Sequence, residues 1–133
     1  MEEFFGDVIH RYTRKMAIED GVLIDVTRQA KDVGFKWPVA ITSELKSLLE
    51  DIPPQFDYQS YPARLQDTLW MASMAARKSR GGDTLMFAVI MPYSKNTSPD
   101  EPHTLDNKKV SLKMVLSVED RKPVLTIMLP HED

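Results

Sequence analysis

Asp20 and Asp25 are the pair of residues that most resembles a catalytic arrangement in this chain. Two carboxylates can act as general acid and general base when their surroundings separate their pKa values. However, Gly21 follows Asp20, and Thr27 lies two positions after Asp25. Glycine favours the backbone of a helix C-terminus, while Asp and Thr cap helix N-termini. We therefore interpret the aspartates as a helix stop and a helix cap, and we predict no catalytic residues.

The residue types that bind metals or phosphates are absent or widely spaced. His10, His103 and His131 are far apart, and none has another histidine at helical spacing. There is no cysteine, which excludes disulfides, thiolate zinc sites and cysteine nucleophiles. Gly81 and Gly82 lack the lysine and the spacing of a phosphate-binding loop. The sequence therefore predicts no metal and no cofactor.

Six basic residues form two clusters that could meet in one patch. A combined patch would neutralise phosphates, the interaction that dominates affinity for nucleic acids. The formal net charge of −3 weighs against this function, and cations at a helix C-terminus complement the helix dipole. Nucleic-acid binding is therefore an alternative hypothesis. The six residues are Arg77, Lys78, Arg80, Lys108, Lys109 and Lys113.

Four aromatic residues are predicted to lie in loops: Trp37, Tyr58, Tyr61 and Tyr93. Exposed Tyr and Trp often anchor protein interfaces. We interpret Trp37, which precedes Pro38, as a core residue. Tyr58, Tyr61 and Tyr93 are the predicted partner-binding residues, and the predicted partner is another protein.

Composition indicates a single soluble globular domain that spans residues 1–133. The chain is 42% hydrophobic and 28% charged, as is typical of folded proteins. No apolar run approaches the roughly 18 to 20 residues that span a bilayer, so no membrane partner is expected. The acidic segment 1–5 differs from the basic start of a secretory signal. We expect a cytoplasmic location; the sequence leaves the oligomeric state open.

The elements that must position these residues change type near Gly81. Before it, the signals are mainly helical. The first helical segment stops at Asp20, and Thr13 is a candidate N-cap within it, so the segment is either one helix or two short helices. A short strand follows over 22–24, then a helix over 27–33, a helix capped near Thr42 and a long helix over 64–80. The helical part therefore covers about 1–80. After Gly81, apolar runs and alternation predict strands over 84–91, 110–118 and 124–129, a β-meander over about 84–130.

The predicted fold class is α+β, with N-terminal helices packed on a three- to four-stranded antiparallel sheet formed mainly by the C-terminal half. The strand over 22–24 would add the fourth strand at an edge. Residues 93–109 are long, polar and proline-bearing, so we expect a mobile loop of the kind that often carries binding function.

The run 17–27, Ala-Ile-Glu-Asp-Gly-Val-Leu-Ile-Asp-Val-Thr, resembles the N-terminal signature of an uncharacterised family of small bacterial, plasmid and phage proteins. Further segments resemble the same family, namely Gly34, the run 38–42, the helix segment 64–71, and the run 123–128 with acidic residues behind it. The family is a domain of unknown function. The resemblance implies a mobile-element setting and no site residues.

Three functions follow as hypotheses. The leading one is a non-enzymatic protein-binding accessory protein of a mobile genetic element, with inhibition of a host defence system as its specific role. The alternative is nucleic-acid binding through the six basic residues. The second alternative is an enzyme with an unrecognised site.

Overall fold

The computed structural model describes residues 12–54, 59–94 and 105–133, except for the side chains of 92–94 and 105–107. Within these ranges the chain forms four helices and one five-stranded sheet. The helices are α1 (Arg14–Glu19), α2 (Thr27–Asp32), α3 (Ser43–Glu50) and α4 (Tyr61–Lys78). The strands are β1 (Leu23–Asp25), β2 (Val39–Thr42), β3 (Thr84–Ser94), β4 (Leu105–Glu119) and β5 (Lys122–Met128).

The first described helix begins after Thr13, one of the two starts that the sequence leaves open, and it ends at Asp20 as predicted. The hydroxyl of Thr13 accepts a hydrogen bond from the Met16 backbone N–H at 3.1 Å and so caps α1. Asp20 ends the helix, and Gly21 takes a φ of +78°, which glycine adopts without steric cost. The interpretation of Asp20 as part of a helix stop is confirmed.

The turn from β1 into α2 uses Asp25 and Thr27 together. One carboxylate oxygen of Asp25 accepts from the backbone N–H of Thr27 at 3.0 Å and from its hydroxyl at 2.5 Å. The Thr27 hydroxyl in turn accepts from the Val39 N–H at 3.1 Å. The N-cap position of α2 is Val26, so Asp25 binds the first turn from one residue before the cap rather than as the cap itself. Thr27 connects this turn to the beginning of β2.

The sheet is mixed, so the prediction of a purely antiparallel sheet is wrong. The strand order is β1-β2-β5-β4-β3. β2 runs parallel to β5, and the other neighbouring strands are antiparallel. β2 was not predicted as a strand because its four residues are all buried and therefore lack the alternation that identifies a strand. β1 lies at the sheet edge as expected, but it reaches the C-terminal strands only through β2.

One face of the sheet carries the main core. Val39 and Ile41 of β2 share this face with Leu125 and Ile127 of β5, as their pairing requires. These side chains pack with apolar residues of α2, α3 and α4 in one cluster. Leu45, Leu69 and Leu112 are among its fully buried members.

The opposite face of the sheet receives α1. The Arg14 guanidinium donates to the hydroxyl of Thr126 at 2.7 Å and to the backbone carbonyl of Leu125 at 2.6 Å. Burial lowers the pKa of Arg14, and the charges of Asp25 and Glu119 oppose that shift. Arg14 therefore connects the first helix to the central strand β5.

The ends of the predicted loop 93–109 belong to strands. β3 continues to Ser94, and β4 begins at Leu105. Residues 95–104 lie outside the described residues. Of the helices in the described ranges, none has both the length and the apolar composition needed to cross a bilayer.

Candidate binding groove

The predicted partner-binding tyrosines do not form one described cluster. Tyr58 lies outside the described residues, and Tyr93 lies in β3 with its side chain not described. Tyr61 starts α4 rather than lying in a loop, because the hydroxyl of Ser60 caps the helix one residue earlier. The loop prediction is therefore wrong for Tyr61 and for Tyr93.

The Tyr61 ring lines a small cavity of about 270 Å³ together with side chains of α2 and α4. The Lys46 ammonium lies 5.9 Å from the centre of the ring, near the outer limit of a cation–π contact. Burial, followed by the charge of Glu50, raises the pKa of Tyr61. The half-buried ring packs between helices and offers only part of its surface to a partner.

The six basic residues are distributed over different parts of the fold. Lys109 pairs with Ile90 and Lys113 with Met86, so both lie on the face away from α4. Lys108 pairs with Met91 and lies on the face that α4 covers. It is far from the end of α4, however, because Met91 lies about 23 Å along β3 from Thr84, where the chain enters the strand after α4. The Lys113 ammonium donates to the backbone carbonyl of Glu132.

The remaining three, Arg77, Lys78 and Arg80, lie together at the C-terminal end of α4. The turn that follows leads directly into β3 at Thr84. Arg77, Lys78 and Arg80 are therefore neighbours at one end of α4, whereas Lys108, Lys109 and Lys113 lie elsewhere and do not join them in one patch.

A groove lies beside this end of α4, and we call it the Trp37 groove. One wall is the segment 34–37, the other is formed by Ser73, Ala76 and Arg77, and Met114 and Leu125 line it from the sheet. Its volume is about 330 Å³. A smaller pocket of about 160 Å³ continues it toward β3, since the two share Trp37, Ala76, Met114 and Leu125.

Trp37 is 45% exposed, so its interpretation as a core residue is wrong. The backbone carbonyl of Pro38 already accepts from the Leu125 N–H at 2.9 Å, but β2 begins only at Val39. Trp37 therefore precedes the sheet and lies at its end, where solvent reaches one side of the indole. Sequence reasoning missed this site, although an aromatic residue next to Lys36 was a signal for it.

Hydrogen bonds fix the two walls of the Trp37 groove relative to each other. The hydroxyl of Ser73 donates to the backbone carbonyl of Val33 at 3.1 Å. The backbone N–H of Phe35 donates to the backbone carbonyl of Ala30 at 3.1 Å, and this bond closes the turn after α2. Gly34 takes a φ of +102° in this turn and lies against the Arg77 guanidinium. The groove is therefore formed before any ligand enters.

The lining of the Trp37 groove combines apolar surface with positive charge. Met114, Leu125 and the indole of Trp37 provide apolar surface, while Lys36 and Arg77 provide positive charge. Its lining includes the hydroxyl of Ser73, which already donates to the Val33 carbonyl, and it contains no His, Asp or Glu side chain. The arrangement suits a ligand that carries an apolar group beside an anionic one.

A larger cavity of about 690 Å³ lies between the start of α3 and the C-terminal segment, and several of its polar groups bind one another. One carboxylate oxygen of Glu132 accepts from the Thr42 hydroxyl at 2.7 Å and from the Leu129 N–H at 2.8 Å. His131 lies 3.0 Å from a carboxylate oxygen of Glu44. In the part of the chain that the structure describes, no three His, Cys, Asp or Glu side chains are placed to hold a metal ion.

Comparison with protein families matches residues 1–133 to a family of unknown function. The chain belongs to this family, DUF6573. The predicted membership of a domain of unknown function is confirmed, and the match extends over the whole chain. Comparisons with curated proteins and with solved structures gave no match. DUF6573 membership assigns no residue a role, so any function must be argued from the groove itself.

Proposed function

We propose that the protein is a non-enzymatic binding protein that holds a segment of another protein in the Trp37 groove. The observation that carries the proposal is the exposed indole of Trp37 beside an apolar lining, with Lys36 and Arg77 at the same site. The partner segment inserts an apolar side chain and places a carboxylate against the two cations.

The residue types and the geometry of the Trp37 groove support this proposal. Trp and Arg are enriched among the residues that contribute most to interface affinity. The bond between Ser73 and Val33 keeps the walls in place, which lowers the conformational entropy lost on binding. The net charge of the chain is −3, so the positive charge at this groove is a local feature.

The biological setting is part of the same proposal. The resemblance to small plasmid and phage proteins supports a role as an accessory protein of a mobile genetic element in the bacterial cytoplasm. The partner would then be a host protein, and a component of a host defence system is the specific candidate. Growth assays with and without the chain in a host that carries such a system test this part.

The test of binding compares Trp37 with a matched tryptophan outside the groove. Trp70 is 51% exposed on α4 and does not line the groove. Proteins captured from bacterial lysate by the wild-type chain should be lost with Trp37→Ala and retained with Trp70→Ala. Calorimetry with the identified partner should show at least a tenfold weaker affinity for Trp37→Ala and for Arg77→Glu. Equal capture by the wild type and Trp37→Ala would contradict the proposal.

Binding of single-stranded nucleic acid is the second candidate. The favouring observation is that three cations, Arg77, Lys78 and Arg80, lie at the end of the helix that forms one wall of the Trp37 groove. Aromatic stacking combined with a positively charged surface is the usual way to hold a single strand.

Fluorescence anisotropy with a labelled oligonucleotide tests this candidate. Affinity should fall steeply with salt, and Arg77→Glu should weaken it, while Lys109→Glu, on the other face of the sheet, should not. Affinity that is unaffected by salt or by Arg77→Glu would rule out this candidate.

A further inference from the structure

Strand β3 is an edge of the sheet with no strand on its outer side among the described residues. It extends over Thr84–Ser94, eleven residues of which none is charged. An edge strand exposes a row of backbone donors and acceptors that can pair with another strand. Natural edges are usually protected by charges, prolines or bulges, and residues 84–91 contain neither a charge nor a proline.

The backbone groups that face outward follow from one hydrogen bond. The Leu116 N–H donates to the Asp83 carbonyl at 2.7 Å, so Asp83 points toward β4. Along an antiparallel strand, the backbone N–H and C=O groups of successive residues point alternately toward one neighbouring strand and away from it. The register therefore places the backbone groups of Leu85 and Phe87, like those of Asp83, toward β4. The backbone groups of Thr84, Met86, Ala88 and Ile90 therefore point outward, away from β4.

The side chains of these outward-pointing residues lie on the sheet face away from α4, and two of them are large and apolar. Met86 is 54% exposed and Ile90 is 59% exposed. They lie two positions on either side of Ala88. If a second copy of β3 were related to the first by a two-fold axis at Ala88, Met86 of each copy would lie beside Ile90 of the other.

Helix α4, which packs on the other face of β3, carries a further exposed apolar residue. Ser73 and Arg77 mark the side of α4 that faces the end of α2. Met71 precedes Ser73 by two residues, about 200° around the helix, and so lies on the side of α4 away from α2. It is 40% exposed.

We propose that β3 pairs antiparallel with β3 of a second copy of this chain, with Ala88 opposite Ala88. Met86 then lies beside Ile90 of the second copy on the outer face, and Met71 lies on the side of α4 that faces that copy. The two sheets become one continuous ten-stranded sheet. Thr84 lies opposite Pro92 in this register, and the ladder ends there because proline has no N–H to donate. A second copy fits because the edge is uncharged and symmetric about Ala88.

The absence of cysteine allows a sharp test by single cysteines. Hydrogen-bonded antiparallel partners have Cα atoms about 5.5 Å apart, within the range of a disulfide. Mild oxidation should therefore convert most of Ala88→Cys into a covalent dimer. Thr84→Cys is the matched control, since the proposed register separates the two copies of this position by about 27 Å. Equal cross-linking of the two variants, or none for a folded Ala88→Cys, would overturn the proposal.

Sedimentation measures the same contact without a cross-link. The wild-type chain should show a concentration-dependent dimer between micromolar and millimolar protein. Ile90→Lys should raise the dimer dissociation constant at least about tenfold, because it buries two ammonium groups beside Met86. Its circular dichroism should match that of the monomeric wild type, since Ile90 is already mostly exposed. Its midpoint of thermal unfolding should fall only slightly, because the new lysine lies opposite Lys109. A wild type that stays monomeric, or an Ile90→Lys variant that is folded and still dimerises equally well, would overturn the proposal.

Discussion

A Cβ atom on Gly34 would lie 3.3 Å from the Nη2 atom of Arg77. The turn after α2 and the last part of α4 thus approach each other closely at Gly34, which has no side chain. The neighbouring bond from Ser73 to the Val33 carbonyl holds the same two segments together. Because these segments are the walls of the Trp37 groove, the shape of the groove depends on this close approach.

Replacing this glycine should destabilise the protein by about 1–2 kcal/mol or more, since Gly34→Ala adds a strained positive φ and a tight contact with Arg77. Urea unfolding measures the loss. Gly81→Ala is the matched control, because Gly81 has a φ of +115° with nothing within 4 Å of its Cβ position. The loss for Gly34→Ala should exceed that for Gly81→Ala, and Arg77→Ala should reduce the difference. A smaller loss of unfolding free energy for Gly34→Ala than for Gly81→Ala would show that the contact with Arg77 does not limit this position.

Thr42 caps α3 and holds the C-terminal segment with the same hydroxyl. It accepts from the Leu45 N–H at 3.2 Å and donates to Glu132 at 2.7 Å. Thr42→Val removes both bonds at a buried site, so we expect a loss of about 1–3 kcal/mol in urea unfolding. Thr42→Ser keeps the hydroxyl and should lose much less. Similar losses for the two variants would show that the methyl group contributes as much as the hydroxyl, which would contradict this expectation.

Arg14 should contribute more to stability than its exposed neighbour Lys15. Its guanidinium donates to Thr126 and to the Leu125 carbonyl, and these are charge-assisted bonds in a half-buried site. Arg14→Met should destabilise by about 1.5–3 kcal/mol in thermal or urea unfolding. Lys15→Met, the matched control, should stay within about 0.5 kcal/mol of the wild type. Equal effects would mean that α1 does not depend on the Arg14 contacts.

Stability should fall at alkaline pH in part because of Tyr61. Burial raises the pKa of Tyr61 above its ordinary value, so the unfolded chain loses the phenolic proton first as pH rises. The stabilisation that the protonated Tyr61 phenol gives the folded state is therefore fully present below a pH of about 10. It is lost as the pH rises through the higher pKa of the folded state. Tyr12 acts in the same direction, because its hydrogen bond to Asp20 raises its pKa.

Urea unfolding at a series of pH values checks this expectation. Tyr61→Phe should reduce the slope of unfolding free energy against pH above about 10, while leaving the slope near neutral pH unchanged. A variant whose alkaline slope equals that of the wild type would show that the Tyr61 phenol titrates alike in the folded and unfolded chains.

The local signals of the sequence predicted several features because each depends on a few adjacent residues. Thr13 and Thr42 bind backbone N–H groups three residues ahead, and Gly21 takes the positive φ that a helix stop requires. The strands β3, β4 and β5 were recognised from their apolar runs and alternation. The antiparallel pairing of β4 with β5 follows from the short connection between Glu119 and Lys122.

The candidate site could not be predicted in the same way. Trp37 was assigned to the core because local sequence does not show where β2 begins relative to the sheet end. The six basic residues were considered as one patch, but register places Lys109 and Lys113 on the face away from the end of α4. A one-residue shift in register would exchange those faces, and only the paired strands determine it.

The sequence by itself therefore determined the caps, the turns and the three C-terminal strands, because these depend on local backbone preferences and hydrophobic periodicity. Only the tertiary structure decided that β2 inserts parallel to β5, which brings together segments that are far apart in the chain. This pairing places the residues before Pro38 beside the end of α4. The Trp37 groove exists because long-range backbone pairing, which no local pattern encodes, brings its two walls together.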